Sequence, residues 1–159
     1  MNKKVLRVSG VVEESIVDGP GLRFVIFTQG CPHRCPGCHN PETHDPDGGS
    51  LADCAALITR FRENPLLAGI TFSGGEPFLQ AAPLCEIAEQ VKADGKTVMV
   101  YTGYLYEQLQ EQARSDADLA RLLDLADVLV DGPYLEELRA PDLLFRGSSN
   151  QRVINKNTL

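Results

Sequence analysis

Four runs of β-branched and aromatic residues in succession each end in glycine beside a polar or cysteine residue. The ends read Gln29-Gly30-Cys31, Ser73-Gly74-Gly75-Glu76, Thr102-Gly103 and Asp131-Gly132. The runs cover residues 23–28, 68–72, 97–101 and 127–130, and the first is apolar nearly throughout, as in a parallel strand buried on both faces. Between them the apolar residues recur at helical spacing. Leu51, Cys54, Ala55, Ile58 and Phe61 follow a capping-box pattern at Ser50 to Asp53. Leu84, Ile87, Ala88 and Val91 form a second stripe that Gly95 closes as a C-terminal cap. Further helices are predicted over residues 105–114 and from Ser115 and Asp118 through Leu123, with strands at residues 5–12 and 151–154. Strand alternating with helix predicts a mostly parallel sheet with right-handed crossovers. A closed eightfold barrel takes ~250 residues, about 30 per unit, so 159 residues supply about five units. The expected fold is therefore α/β, an incomplete (open) parallel β/α barrel of about five or six strands in one domain spanning residues 1–159. Parallel α/β folds place their chemistry at the C-terminal ends of strands, so the four glycine-bearing ends should share one face.

The first of those ends carries an unusual loop. Cys31, Cys35 and Cys38 stand as C-x3-C-x2-C in Gly30-Cys31-Pro32-His33-Arg34-Cys35-Pro36-Gly37-Cys38-His39-Asn40, where prolines and glycines forbid a regular helix and let sulfurs converge. Thiolates suit zinc or iron–sulfur clusters. A cubane of four irons normally takes four cysteines, so three leave one iron open to a small molecule. Taken alone, the same trio also fits a structural zinc completed by His33, His39 or His44. At the second end, Gly74 and Gly75 let a ligand approach the backbone closely, and Glu76 offers an acceptor to a cationic amine. A zwitterionic amino acid fits such a surface. The remaining cysteines, Cys54 and Cys85, fall on or beside apolar helix faces and read as core filling, which argues for one cluster.

Charge and length narrow the partners. The formal net charge of −7 repels phosphate backbones, which argues against nucleic acid. Apolar stretches such as residues 66–72 fall short of the ~18 residues of a membrane span, and Lys3, Lys4 and Arg7 interrupt any signal-peptide core. With an odd cysteine count, this reads as a cytoplasmic protein with reduced thiols. Asp18 in Asp-Gly-Pro-Gly and Asp131 at a strand end are turn or cap formers or site residues; the residues themselves leave this open. Arg146, Arg152 and Lys156 form a local basic tail, which reads either as a plain tail loop or as a partner-docking patch; the residues themselves leave this open.

The cysteine loop after one barrel strand with Gly-Gly-Glu-Pro after the next resembles the radical S-adenosyl-L-methionine (SAM) superfamily. More narrowly, Asp18-Gly19-Pro20-Gly21-Leu22-Arg23 and the stretch from Gln29 through Asn40 resemble the activating enzymes of glycyl-radical enzymes. Tyr101-Thr102-Gly103-Tyr104, Val130-Asp131-Gly132 and Arg146 to Gln151 resemble the branch that serves anaerobic ribonucleoside-triphosphate reductases. The resemblance implies one [4Fe-4S] cluster on Cys31, Cys35 and Cys38, with SAM chelating the fourth iron. Reductive cleavage then yields a 5′-deoxyadenosyl radical that takes hydrogen from a glycine of the reductase's large subunit. The chemistry is the cofactor's, and no side chain is expected to be catalytic. The resemblance further implies SAM contacts at Gly37, Cys38, His39, Ser73, Gly74, Gly75, Glu76 and Thr102, with Glu76 meeting the methionine amine. Many members carry an aromatic residue just before the third cysteine; here it is Gly37. A flavodoxin- or ferredoxin-type electron donor is implied as well. Within the same family stands activation of another glycyl-radical enzyme, such as pyruvate formate-lyase, or a small-molecule radical SAM reaction. A non-catalytic zinc-binding interaction module is the reading from a different class.

Overall fold

A computed structural model describes residues 4–33, 44–140 and 142–156. Among the described residues seven strands form one sheet: β1 (Val5–Ser15), β2 (Arg23–Thr28), β3 (Ser50–Asp53), β4 (Gly69–Gly74), β5 (Thr97–Tyr101), β6 (Val128–Asp131) and β7 (Arg152–Asn155). Their spatial order is β3-β1-β2-β4-β5-β6-β7. The central four, β2, β4, β5 and β6, are parallel, while β1, β3 and β7 pair antiparallel. The expected parallel array of five or six strands is thus a mixed sheet of seven: β3 is added at one edge, and the expected strands β1 and β7 run antiparallel to their neighbours.

The added strand β3 overrode a helix signal. Ser50 to Asp53 carries a capping-box pattern, yet it runs extended and pairs with Val5 to Val8 of β1. Gly49 turns the chain into this pairing at φ +69°, where a Cβ would come 2.2 Å from the Val8 carbonyl oxygen. Only Asp53 caps, accepting from the Ala55 N–H, and helix α1 (Cys54–Arg62) starts there. The other helices are α2 (Ala81–Ala93), α3 (Tyr106–Gln112) and α4 (Ala117–Leu125), the last capped by Asp116 accepting from the Leu119 N–H. Gly95 closes α2 in line with its C-cap signal, its N–H bonding to the Lys92 carbonyl at φ +77°.

Strand residues alternate between two unlike faces. Phe24, Ile26, Ile70, Phe72, Val98, Val100 and Leu129 form the main core with the apolar sides of α1, α2 and α4, including Leu57, Phe61, Leu84, Ile87 and Leu122. Cys54 and Cys85 belong to that core, at 1% and 6% exposure. The opposite face carries a small cluster of Met99, Val128 and Val130, with Tyr101, Phe145 and Val153 against it. Beneath that cluster lies Arg23, 1% exposed at the start of β2. Its guanidinium donates to the hydroxyls of Thr71 (2.8 Å) and Thr97 (2.9 Å) and to the carbonyls of Pro20, Ile70 and Thr97 (2.8–3.1 Å). This polar layer closes the N-terminal end of the inner face and ties the Gly19-Pro20 turn to β4 and β5.

Candidate functional site

Above the Arg23 layer the inner face opens into a cavity of about 690 Å³. Its floor and one wall come from the strand ends: Phe27, Cys31, His33, Ser73, Gly74, Gly75, Tyr101, Thr102, Gly103 and Gly132. The opposite wall is Arg139 with the stretch from Asp142 to Gly147, and Ile16, Val17 and Asp18 complete the rim. The parallel register brings these ends together, since Phe27 lies beside Ser73 and Thr28 beside Gly74.

Two backbone hydrogen bonds lock the first two ends together, and a third ties the first to the returning chain at His44. The Gly75 N–H donates to the Thr28 carbonyl (2.9 Å), the Glu76 N–H to the Gly30 carbonyl (2.8 Å), and the Cys31 N–H to the His44 carbonyl (3.1 Å). Gly74 makes the approach possible: at φ +96°, a Cβ there would lie 2.5 Å from the Thr28 nitrogen. Of the residues singled out in the sequence, Cys31, Ser73, Gly74, Gly75 and Thr102 meet on the cavity wall. Cys35, Gly37, Cys38 and His39 lie outside the described residues.

Glu76 takes a different position. It is fully buried and stands behind the wall instead of on it. It caps the short 3-10 turn Pro77–Gln80 by accepting from the Phe78 N–H (3.1 Å), and accepts as well from the Thr102 hydroxyl (2.9 Å) and the Gly103 N–H (2.8 Å). His33 Nε2 lies 2.6 Å from Glu76 Oε1. Glu76 thereby joins the loops after β2, β4 and β5.

Asp131 is turned away from the cavity. It is fully buried, accepts from the Tyr106 N–H (2.8 Å) to hold the start of α3, and is gripped by Arg152. Arg152 also meets Glu107 at 2.7 and 3.0 Å, and this guanidinium holds the Glu107 carboxyl down at about 2. Lys156 is lowered by burial and lies near Asp124 and Asp127. Of the basic tail, Arg152 is therefore engaged by acids of its own chain, and Arg146 alone reaches the cavity wall. Asp18 does border the cavity, its carboxylate taking the Ser15 hydroxyl (2.6 Å) and its carbonyl the Thr71 hydroxyl (2.7 Å). Nearby Tyr101 is pushed upward, first by burial and then by Asp18.

Sequence reasoning singled out the stretch Arg146 to Gln151 but missed that it belongs to the far wall of the cavity together with Arg139 and Asp142 to Phe145. Arg139 and Ser148 form a bridge at its base, and Gln151 knots it by accepting from the Gly147 (2.9 Å) and Ser148 (3.1 Å) N–H groups while donating to the Gly132 carbonyl (3.0 Å). Phe145 adopts φ +63° within it, an unusual conformation for a bulky residue. Leu144, Ile16 and Val17 are 75%, 78% and 70% exposed around the mouth, an apolar rim on an otherwise acidic molecule.

Residues 17–154 match the family described as a 4Fe-4S single cluster domain. The anaerobic ribonucleoside-triphosphate reductase-activating protein of Escherichia coli (strain K12) is 36% identical over 146 residues, covering 87% of this chain and 91% of that protein. The pyruvate formate-lyase-activating enzyme of Clostridium pasteurianum is 38% identical over 132 residues, but the match spans 79% of this chain and 55% of that enzyme. A crystal structure of QueE from Escherichia coli superposes with a TM-score of 0.48 at 17% identity, over 62% of this chain and 53% of that one.

Proposed function

The chain belongs to the 4Fe-4S single cluster domain family and to that of the anaerobic ribonucleoside-triphosphate reductase-activating proteins, and from there we propose that it activates such a reductase by radical SAM chemistry. In this reading Cys31, Cys35 and Cys38 hold one [4Fe-4S] cluster, whose fourth iron takes S-adenosyl-L-methionine. The donor set fits: thiolates are the ligands of such clusters, and Cys31 borders the same cavity as Ser73, Gly74, Gly75 and Thr102. That juxtaposition is the observation that carries the proposal. When bound and reduced, the pair supplies a 5′-deoxyadenosyl radical able to take hydrogen from a glycine of the partner's large subunit.

The protein's own share is placement and exclusion. Backbone groups of Ser73 to Gly75 offer donors and acceptors to the amino-acid end of the cofactor, and Thr102 extends that surface. Gly37, Cys38 and His39 complete the cluster side. We read the sheet, with helices on one face and the cavity on the other, as an incomplete barrel in a single domain. Its open mouth, rimmed by Ile16, Val17 and Leu144, admits the glycine-bearing segment of the reductase, and apolar rim residues drive that docking by losing water. No helix among the described residues is long and apolar enough to cross a membrane, and we place the protein in the cytoplasm with a flavodoxin- or ferredoxin-type donor.

Activation of pyruvate formate-lyase is the second reading, on the strength of the 38% identical relative; the span of 91% against 55% of the relatives' lengths favours the reductase. Anaerobic reconstitution, followed by incubation with SAM, reductant and either glycyl-radical enzyme, tests both. The expected result is a brown protein with four irons per chain and a glycyl-radical EPR doublet on the reductase subunit. Cys31→Ala should abolish SAM cleavage and Cys54→Ala should spare it. A colourless protein holding one zinc would refute the proposal.

A further inference from the structure

The carboxylate expected to meet a ligand is walled off from the cavity. Glu76 is 0% exposed, and a carboxylate has about four lone-pair sites in all. Oε1 faces His33 Nε2, the Gly103 N–H and the Thr102 hydroxyl, and Oε2 faces the Phe78 N–H and the same hydroxyl. A cationic amine would reach Glu76 only by displacing one of these partners.

His33 is placed the other way round. It borders the cavity with its side chain 15% exposed, in the cysteine loop two residues after Cys31. Its ring is held on three sides. Glu76 takes Nε2, Tyr104 packs edge-on at 4.5 Å between centroids, and the third side is closed by Gly103. A Cβ at position 103 would come 2.3 Å from His33 Cδ2, so only glycine lets the ring seat there. An imidazole fixed on one edge by a carboxylate presents its other edge in a set orientation, whichever protonation state it holds.

We propose that His33 is the side chain that contacts the amino-acid end of the cavity's ligand, and that Glu76 is a positioning residue acting through it. This rests on the assignment of SAM as that ligand. The Gly-Gly-Glu turn then acts in two ways, its glycines opening the backbone to the ligand while its glutamate aims a side chain borrowed from the neighbouring loop. Gly103 becomes a specificity-determining position, since any larger residue there unseats the ring.

A double-mutant cycle on the anaerobically reconstituted protein tests it. SAM is titrated against the change it induces in the EPR signal of the reduced cluster, with iron content measured for each variant. His33→Ala and Glu76→Gln are each expected to weaken SAM binding by about tenfold, the scale of one charge-assisted hydrogen bond. The double variant is expected to bind no more weakly than His33→Ala alone. His33→Gln, whose amide can donate to Glu76, should recover binding to within about threefold of the parent, which guards against a merely structural loss in His33→Ala. Losses that multiply in the double variant, or SAM binding unchanged in His33→Ala, would overturn the dyad while leaving the cofactor assignment standing. A parent protein whose cluster signal ignores SAM would instead defeat the cofactor assignment, and the dyad with it.

Discussion

Arg23 poses an energetic question that a single substitution answers. Its guanidinium is 1% exposed, and its five hydrogen bonds all go to hydroxyls and carbonyls, none to a carboxylate. Burial holds its pKa down at about 10, with Asp127 the main opposing influence. Measured against an ordinary value near 12.5, this corresponds to a cost of roughly 3 kcal/mol for keeping the charge buried. Bonds to a charged donor contribute ~1.5 kcal/mol apiece at the low end, so five of them gross about 7 kcal/mol. Arg23→Met removes both contributions and keeps most of the volume, leaving a net loss of about 4 kcal/mol. For a domain of this size each kcal/mol lowers Tm by ~2–4 °C, so the melting transition should fall by roughly 8–16 °C. Circular dichroism on the cluster-free protein would read it, with Arg23→Lys falling between the two because an ammonium cannot span the fork. A methionine variant as stable as the parent or more so would refute the reasoning, as happens where a buried charge is a net cost and an apolar isostere relieves it.

Two further outcomes are expected. Cys54 and Cys85 are both pushed up to about 11, chiefly by burial, with Glu86 adding to the first and Asp118 to the second. Their folded values lie above the unfolded one, so this stability is complete below about pH 9 and drains away as pH climbs toward 11, by up to ~3 kcal/mol per thiol. Alkylation followed by mass spectrometry should find both unreactive at pH 8, and urea midpoints should fall between pH 9 and 11; rapid labelling of either in the native protein at pH 8 would contradict the burial. Arg152→Met should cost about 2 kcal/mol in a urea titration, because it strands the buried Asp131 carboxylate, with the half-exposed arginine keeping the loss under that of a fully enclosed pair. Since Asp131 faces away from the cavity, the cluster's response to SAM should survive; its loss would return Asp131 to the site.

How much of this was legible depended on whether a signal was local. Helix stripes and glycine strand ends are local, and α2, its Gly95 cap and the convergence of Cys31, Ser73, Gly74, Gly75 and Thr102 follow from them. The capping box at Ser50 is local too, but pairing with β1 outweighed it, since the hydrogen bonds of a strand ladder depend on a partner far away in the chain, Val8 for Ser50 and Val5 for Asp53. Asp131 and Glu76 carried the right chemistry at strand ends and still face away from the cavity, where Arg152 and His33 reach them across the fold. Nothing near either acid in the chain announces those partners. The pairing of Arg152 was hidden for the same reason: the acids that take it up lie on α3 and β6, far from it in the chain.

One signal was present and went unused. The near-continuous apolar run of β2 reads as a strand buried on both faces, which is correct for its burial but hides that the two faces of the sheet differ in kind. Taking every second residue gives Phe24 and Ile26, Ile70 and Phe72, Val98 and Val100 on the helix side. The alternate positions give Arg23, Val25 and Phe27, then Gly69, Thr71 and Ser73, then Thr97, Met99 and Tyr101, a set mixing polar, small and large side chains. A sheet covered by helices on both faces has no use for an arginine, two threonines and a serine on one of them. The period of two thus separates a packed face from one that must satisfy polar groups and leave space, and it places Arg23 at the bottom and Ser73 at the top of the same inner surface. The cavity is the consequence: where the strands end, polar partners and small residues have already replaced the apolar packing that would otherwise fill it.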